Sequence, residues 1–485
     1  MRSRQKNHDW QKTGQYDCSK PCWSWGNPVN SHNILNIMNI TNSSAQFARW
    51  FRDSTPYISA HRGSTFVVML GGDALAHNNY VNILHDLALL TVLGVRLVLV
   101  HGARPQLDAA LEKAGLESQY SNYLRITDAE TLGIAKSVSA DLRSRVEASF
   151  SVGLPTTPLH NTEISVYSGN FVNAQPIGVL EGVDYHYSGQ VRSIRRSAIE
   201  QALGVNSLVL ISPLAYSPAG ETYNLCAEDL AMELALQLEA EKLIFFSETV
   251  FPFNSARKNQ SVFTPTEAQK LLKNDSVDEH SSLHYRLNTL IRASAAGVSS
   301  GQLVNYTEDG ALLQELFTAT GHGTQILSGI LESVRAAVQS DIAGIIELIQ
   351  PLEEAGILLK RSRDKLEQEI DHFLVAEIDG TLAGCCALYP MPDNHTAELA
   401  CLVAHPAYRQ TSLGDSLGAE LLNAICARAT SLGINRLFAL TTRTRDWFIE
   451  NGFEQVSVSD LPESKKAMYN FQRNSKVLLL NLGKN

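Results

Sequence analysis

One stretch near the C-terminal end restricts the architecture more than any other: residues 400–422, ACLVAHPAYRQTSLGDSLGAELL. It begins with an apolar run suited to a buried strand, Cys401-Leu402-Val403, and breaks at His405-Pro406. The loop Arg409-Gln410-Thr411-Ser412-Leu413-Gly414 follows, ending in Asp415 and an amphipathic helix with Leu417, Leu421 and Leu422 on one side. A strand, an Arg/Gly loop and a helix in that order offer consecutive backbone N–H groups and a helix N-terminus to a diphosphate. Arg409 adds a planar cationic fork. An ordinary strand-to-helix turn with a glycine reads the same way locally, so the neighbouring elements must decide.

The 485 residues, 44% hydrophobic and 19% charged, are enough for about two or three domains with separate cores. A net charge of −10 argues against nucleic acid or an anionic membrane as the main partner. The seven cysteines show no paired metal-ligand spacing and no complementary histidine pair, so no metal is expected and thiols in a reducing cytosol are. No run approaches the ~20 apolar residues of a membrane span, and the N-terminus lacks a secretory apolar core. A cytoplasmic location is the expectation.

Residues 1–43 are polar and without sustained periodicity, so a disordered extension is expected. Met38 is a candidate start, with a transit peptide as the other reading. From Ser44 a helical pattern appears, with Phe47, Trp50 and Phe51 on one stripe, and it is expected to end before Pro56. Alternating elements follow: a buried strand at 65–70, Gly71-Gly72, a helix over 79–93 and a strand at 96–100. His101-Gly102-Ala103-Arg104-Pro105 opens the next helix, and strands recur at 207–212 and 242–247. This alternation, with glycines after strands, predicts an α/β fold with an open, mostly parallel sheet and helices on both faces.

Gly71-Gly72, His101-Gly102, 178–184 (GVLEGVD) and 223–229 (YNLCAED) resemble the amino-acid kinase fold, specifically its acetylglutamate kinase branch, across roughly 47–326. The family's lysine before Gly-Gly is Met69 here, and its Gly-Gly after His-Gly is Ala103-Arg104. Its later Gly-Gly-Met-x-x-Lys element is not found near 281–286. Phosphoryl transfer needs positioned cations and close backbone approach, so a kinase fold without kinase chemistry is expected over 44–326. Near its end, 310–324 (GALLQELFTATGHGT) looks like the segment that binds L-arginine in arginine-sensitive acetylglutamate kinases and synthases. The resemblance makes Glu315 the partner of a guanidinium or ammonium, with Gly321 and Gly323 exposing main-chain groups to an α-carboxylate. A solvated Glu315 and a glycine cap are the other reading.

A short linker, 327–334, leads to 335–485. Helix at 341–352, charged helix at 364–370, strand at 373–378, an Asp379-Gly380 hairpin turn, strands at 382–389 and 396–403, the loop and helix above, then strand 436–441, helix 445–451 and strand 475–480 follow in order. This order, with Trp447-Phe448-x-x-x-Gly452-Phe453, resembles the GNAT acetyltransferases, whose pyrophosphate loop reads Arg/Gln-x-x-Gly-x-Gly/Ala and holds coenzyme A. Ser412 stands at the first glycine; a positive φ there would cost ~1 kcal/mol. The two parts in one chain resemble the bacterial N-acetylglutamate synthases, as do 461–466 (LPESKK) and 472–476 (QRNSK).

That resemblance implies acetyl transfer from acetyl-CoA, a cosubstrate with no permanently bound cofactor, to the α-amino group of L-glutamate. It also implies feedback by L-arginine and a homo-oligomer, a hexamer of kinase-like dimers. Glu398, on the strand entering the loop, is the implied base; its apolar neighbours should raise its pKa, although pairing with a Lys or Arg is the other reading. A backbone N–H near Leu402 or Val403 would meet the oxyanion. Arg361 and Arg473 match positions that hold substrate carboxylates, helped by Ser475 and main-chain atoms of Leu359 and Cys401. For the general acid only Thr441, Thr442 or water are in view. The rival readings are a working acetylglutamate kinase with a regulatory C-terminal domain, a non-enzymatic arginine sensor, and an acetylase of some other amine.

Overall fold

The computed structural model describes residues 44–151, 163–204, 207–250, 262–274, 277–318, 321–327, 334–378, 381–392, 395–405, 412–467, 469 and 475–482. The expected disorder of 1–43 and the Asp379-Gly380 turn fall outside them. By contacts the chain divides at Asp53/Ser54. The helix with the aromatic stripe spans Ser44–His61, so Pro56 lies inside it and does not end it, contrary to the sequence reading. An internal proline costs roughly 3 kcal/mol, and the last turns recover this by packing. Tyr57 and Ile58 sit against a buried cluster, and the buried His61 donates from Nε2 to the Leu316 carbonyl at 2.9 Å.

The front part is built on an eight-stranded sheet in the order Val262–Phe263, Thr324–Leu327, Ser300–Asn305, Lys242–Ser247, Thr65–Leu70, Arg96–His101, Ser207–Ile211, Ser165–Tyr167. Its pairings are parallel except between Ser300–Asn305 and Thr324–Leu327. Thr65–Leu70 is buried along its whole length, as expected of a central parallel strand covered on both faces. Alternate residues feed the two faces: Val67 and Met69 join one cluster, Phe66, Val68 and Leu70 the other. A closed four-stranded barrel of Leu214–Tyr216, Thr222–Leu225, Ser188–Ile194 and Val172–Pro176 stands beside the sheet. The sequence reading had not separated it, because its strands are short and alternate less cleanly.

The rear part is a seven-stranded sheet: Val334–Ala336, Phe373–Ile378, Thr381–Pro390, Thr396–Ala404, Arg436–Thr441, Lys476–Asn481 and Glu454–Val456. Helices Ile342–Glu354 and Arg363–Glu369 cover one face. The long helix Ser412–Ser431 covers the other, with Leu417, Leu421, Leu422 and Ile425 buried, as the predicted stripe requires. Phe453 N–H closes on the Phe448 carbonyl at 3.0 Å, and the two rings meet edge to face at 5.0 Å. The 327–334 linker runs from the end of one strand to the start of another; residues 328–333 lie outside the description. No helix among the described residues is long and apolar enough to cross a membrane.

Candidate active site

The site grows from a fault in the rear sheet. Strand Thr396–Ala404 pairs in parallel with Arg436–Thr441 only from Thr396↔Arg436 to Leu399↔Ala439. Beyond that point each strand keeps only its outer neighbour, as far as Ala404↔Gly384 on one side and Thr441↔Lys476 on the other. The two strands therefore part. Strand N–H groups that lose a ladder partner are left to meet a ligand or water.

A bulge sits at the parting. The register with Thr381–Pro390 shifts between Ala387↔Ala400 and Cys385↔Val403, and Cys401 adopts φ +51°. A non-glycine residue in the left-handed region is strained and tends to mark function. The extra residue inverts the alternation. Before the bulge, Ala397 and Leu399 face the Ser412–Ser431 side; after it, Cys401 and Val403 face the opposite helices. Cys401 is thereby turned toward Arg361. Burial pushes its thiol up to about 11, opposed by the Arg361 guanidinium and assisted by Glu353, Glu398 and Glu369. Its carbonyl takes the Cys385 thiol at 3.6 Å.

Glu398 lies directly opposite Tyr389 in the ladder. Its side chain is 13% exposed and forms an ion pair with Lys465. The burial expected for Glu398 is present; the cation facing it, one of the two alternatives left open by the sequence, is present as well. Arg361 donates from Nη1 to the Leu359 carbonyl at 3.0 Å, while its own N–H donates to Glu353 Oε1 at 3.0 Å. Among the described residues no carboxylate forms an ion pair with the Arg361 guanidinium. Although burial opposes its charge, Cys401, Tyr389 and Glu353 hold its pKa up. Ser475 stands just before the last long strand, and its carbonyl accepts from Tyr469 Oη at 2.5 Å.

Thus Glu398, Leu402, Val403, Cys401, Arg361, Leu359 and Ser475 belong to elements that converge on the parted strands. Arg409, Gln410, Thr411 and Arg473 lie outside the described residues. Ser412, Leu413, Gly414 and Asp415 form the first turn of the helix Ser412–Ser431. Thr441, considered as an acid, has its hydroxyl taken by the N–H groups of Arg443 and Thr444, at 3.3 and 3.0 Å. Tyr389, Glu369 and the pairing role of Lys465 had not been singled out. A bulge hides such partners, since register cannot be counted through it from sequence.

In the front part, a cavity of about 200 Å³ is lined by Met69, Gly71, Gly72, Gly102, Ala103 and Arg104 among others. Gly102 must be glycine here: a Cβ would stand 3.0 Å from the Gly72 nitrogen and 3.1 Å from the Gly71 Cα. The Arg104 guanidinium lies 3.7 Å over the Tyr123 ring and donates to the Tyr123 carbonyl at 2.8 Å. Arg286, buried, is held by both oxygens of Asp73 at 3.0 Å and lies 3.5 Å from Glu228. The protein's own groups thus occupy the cations of this cavity.

Glu315 is also buried. Its Oε2 accepts from the N–H groups of His322 and Gly323 at 2.7 and 2.8 Å. Gly321 has φ +60°, and a Cβ there would meet Glu315 Oε2 at 2.7 Å. The three residues named from sequence are therefore one unit, a carboxylate holding a glycine turn. Among the described residues no group of three or more His, Cys, Asp or Glu is arranged to hold a metal ion.

Comparison with known proteins bears on both parts. Residues 64–250 match the amino acid kinase family and 342–450 the acetyltransferase (GNAT) family. An amino-acid acetyltransferase of Aeromonas salmonicida is 47% identical over 430 residues, covering 88% of this chain and 96% of the relative. One of Pseudomonas aeruginosa is 46% identical, covering 89% and 98%. The crystal structure of N-acetylglutamate synthase from Neisseria gonorrhoeae complexed with coenzyme A and L-arginine is 36% identical. It covers 90% of this chain and 100% of its own, with a TM-score of 0.73. The same protein complexed with coenzyme A and N-acetyl-glutamate superposes with a TM-score of 0.57. The fold is thus an amino-acid kinase-like part followed by a GNAT part, and the chain is an acyltransferase belonging to the amino-acid acetyltransferase family.

Proposed function

We propose that this enzyme moves the acetyl group of acetyl-CoA to the α-amino group of L-glutamate, giving N-acetyl-L-glutamate and coenzyme A. The observation that carries the reading is the Arg361 guanidinium, without a carboxylate partner among the described residues, beside the parted strands and Glu398. Such a fork suits an acceptor that bears a carboxylate. The ligands of the gonococcal synthase, coenzyme A with N-acetyl-glutamate, support the same pairing of substrates.

In this mechanism Glu398, through water, takes a proton from the acceptor ammonium. The amine nitrogen attacks the thioester carbonyl, and an N–H of the parted strand near Leu402 or Val403 meets the oxyanion. The attacking nitrogen then releases its second proton to solvent, the C–S bond breaks to leave the amide, and the departing thiolate takes up a proton from solvent. The loop 409–415 with its helix N-terminus would hold the pyrophosphate of acetyl-CoA. Arg361, Arg473, Ser475 and main-chain atoms of Leu359 and Cys401 would hold glutamate.

The domain assignment proposed is an extension over 1–43, an arginine-binding kinase-like domain over 44–326, a linker over 327–334 and the acetyltransferase domain over 335–485. L-Arginine bound at Glu315, Gly321 and Gly323 would inhibit, placing the reaction at the head of arginine synthesis in the cytoplasm, in a homo-oligomer. Met69 and the Arg104 side chain in the front cavity speak against phosphoryl transfer there. The test is thiol release from acetyl-CoA against a panel of amino acids, with and without arginine. Glutamate should be the preferred acceptor and arginine should slow it; absence of glutamate-dependent thiol release would overturn the proposal.

A further inference from the structure

Two carboxylates bear on the surroundings of Arg361, Glu353 on the guanidinium itself and Glu369 on the Tyr389 phenol and Cys401 thiol beside it, and neither forms an ion pair with it. Glu353 is engaged by the Arg361 backbone N–H at 3.0 Å. Glu369, at the end of helix Arg363–Glu369, accepts at Oε2 from the Tyr389 hydroxyl at 2.8 Å, and its other oxygen is 3.7 Å from Lys365. Glu369 and Arg361 both act on the Cys401 thiol, so they share one neighbourhood, and Arg361 faces the Tyr389 phenol as well. Charge-assisted pairs are about twice as strong as neutral hydrogen bonds. A guanidinium with no carboxylate partner among the described residues, in the neighbourhood of a half-buried carboxylate, therefore requires something that holds the carboxylate elsewhere. The Tyr389 ring is fixed for that task, since it sits on the strand opposite Glu398 and lies 5.0 Å from the His372 ring.

We infer that Tyr389 is a positioning residue that holds Glu369 away from Arg361, so that the guanidinium stays available to the acceptor's carboxylate. The inference rests on the acceptor reading proposed above. Without the hydroxyl, Glu369 turns to Arg361 and competes with the substrate as an internal carboxylate. Burial, then the bond to Glu369, keeps the phenol protonated, so the restraint persists across the working pH range.

The experiment is a double-mutant cycle on the full-length enzyme. Tyr389→Phe keeps the ring and should raise the glutamate KM about tenfold, the scale of one charge-assisted bond, with the acetyl-CoA KM unmoved. Glu369→Gln alone removes the competing charge and should lower the glutamate KM. The pair Y389F/E369Q should return to the wild-type value or below. A glutamate KM that stays raised in the double variant, or no rise in Y389F, overturns the inference, because a packing role would not be rescued at Glu369. An acceptor other than glutamate in the wild-type panel overturns only the substrate reading; the cycle is then read on that acceptor's KM, with the same two outcomes.

Discussion

Glu398 and Lys465 meet as an ion pair between the strand Thr396–Ala404 and the short helix Glu463–Lys466, with side chains 13% and 25% exposed. The residue proposed as base is thus tied to a segment far along the chain. If Glu398 handles the proton, Glu398→Gln should lower kcat about 10²- to 10⁴-fold, the range of one general base, with little change in either KM. Lys465→Met should cost far less in kcat. Equal losses in steady-state assays of the two variants would reduce Glu398 to a structural partner of Lys465.

Arg361 should act on glutamate alone. Arg361→Ala removes both prongs of the fork and should raise the glutamate KM about 100-fold, within the cost of a lost charge-paired hydrogen bond. Arg361→Lys should recover only part of it, because an ammonium cannot bind a carboxylate bidentately. Initial-rate measurements with each substrate varied in turn separate this from a general loss of the site, in which both KM values would move together.

Replacing Glu315 has a structural and a regulatory consequence. Glu315→Ala leaves the N–H groups of His322 and Gly323 without their acceptor, and should lower stability by about 1–3 kcal/mol. The variant should keep its uninhibited turnover and lose its sensitivity to arginine. Gly321→Ala should have the same regulatory effect, since its Cβ falls 2.7 Å from the Glu315 oxygen at a φ of +60°. Dose–response curves for arginine, with thermal melts of the same preparations, check both; an unchanged response in both variants removes the turn from the regulatory site.

Asp86 supplies a pH dependence. Burial, and then the charge of Asp309, raise its carboxyl from 3.8 to about 7. The folded state therefore holds a proton that the unfolded state has released, and stability falls as pH rises from about 4 through about 7. Asp86→Asn lacks this loss. Its melting temperature should exceed that of the wild type above pH 7, with the gap closing toward pH 4. A gap independent of pH in melts across that window would show that Asp86 is not titrating there.

The front cavity predicts a negative result. With Met69 in place of a cation and Arg286 held by Asp73 and Glu228, incubation with ATP, Mg²⁺ and N-acetylglutamate should release no ADP above background. Sustained release would restore a kinase reading of this part.

Much of the fold was legible because it depends on local order. The apolar runs at Thr65–Leu70, Lys242–Ser247 and Phe373–Ile378 can only be buried strands, and the stripe of Leu417, Leu421 and Leu422 can only be the inner face of a helix. Glu398, Arg361 and Glu315 were named by the family resemblance, with their residue chemistry in agreement, and not by spacing. Pro56 misled, because a local rule for ending helices was outweighed by the burial of Tyr57, Ile58 and His61.

What no spacing reveals is which distant groups face one another. The parting of two strands after Leu399↔Ala439 and the inversion of faces at Cys401 depend on pairing across the sheet. So do the meeting of Lys465 with Glu398 and of Tyr389 with Glu369. The chain alone determined most of the elements, since these follow from periodicity and residue type, while the barrel strands and the helix running past Pro56 escaped it. Only the tertiary structure decided which charges among the described residues are paired and which are not, because that balance depends on distances between segments remote in sequence.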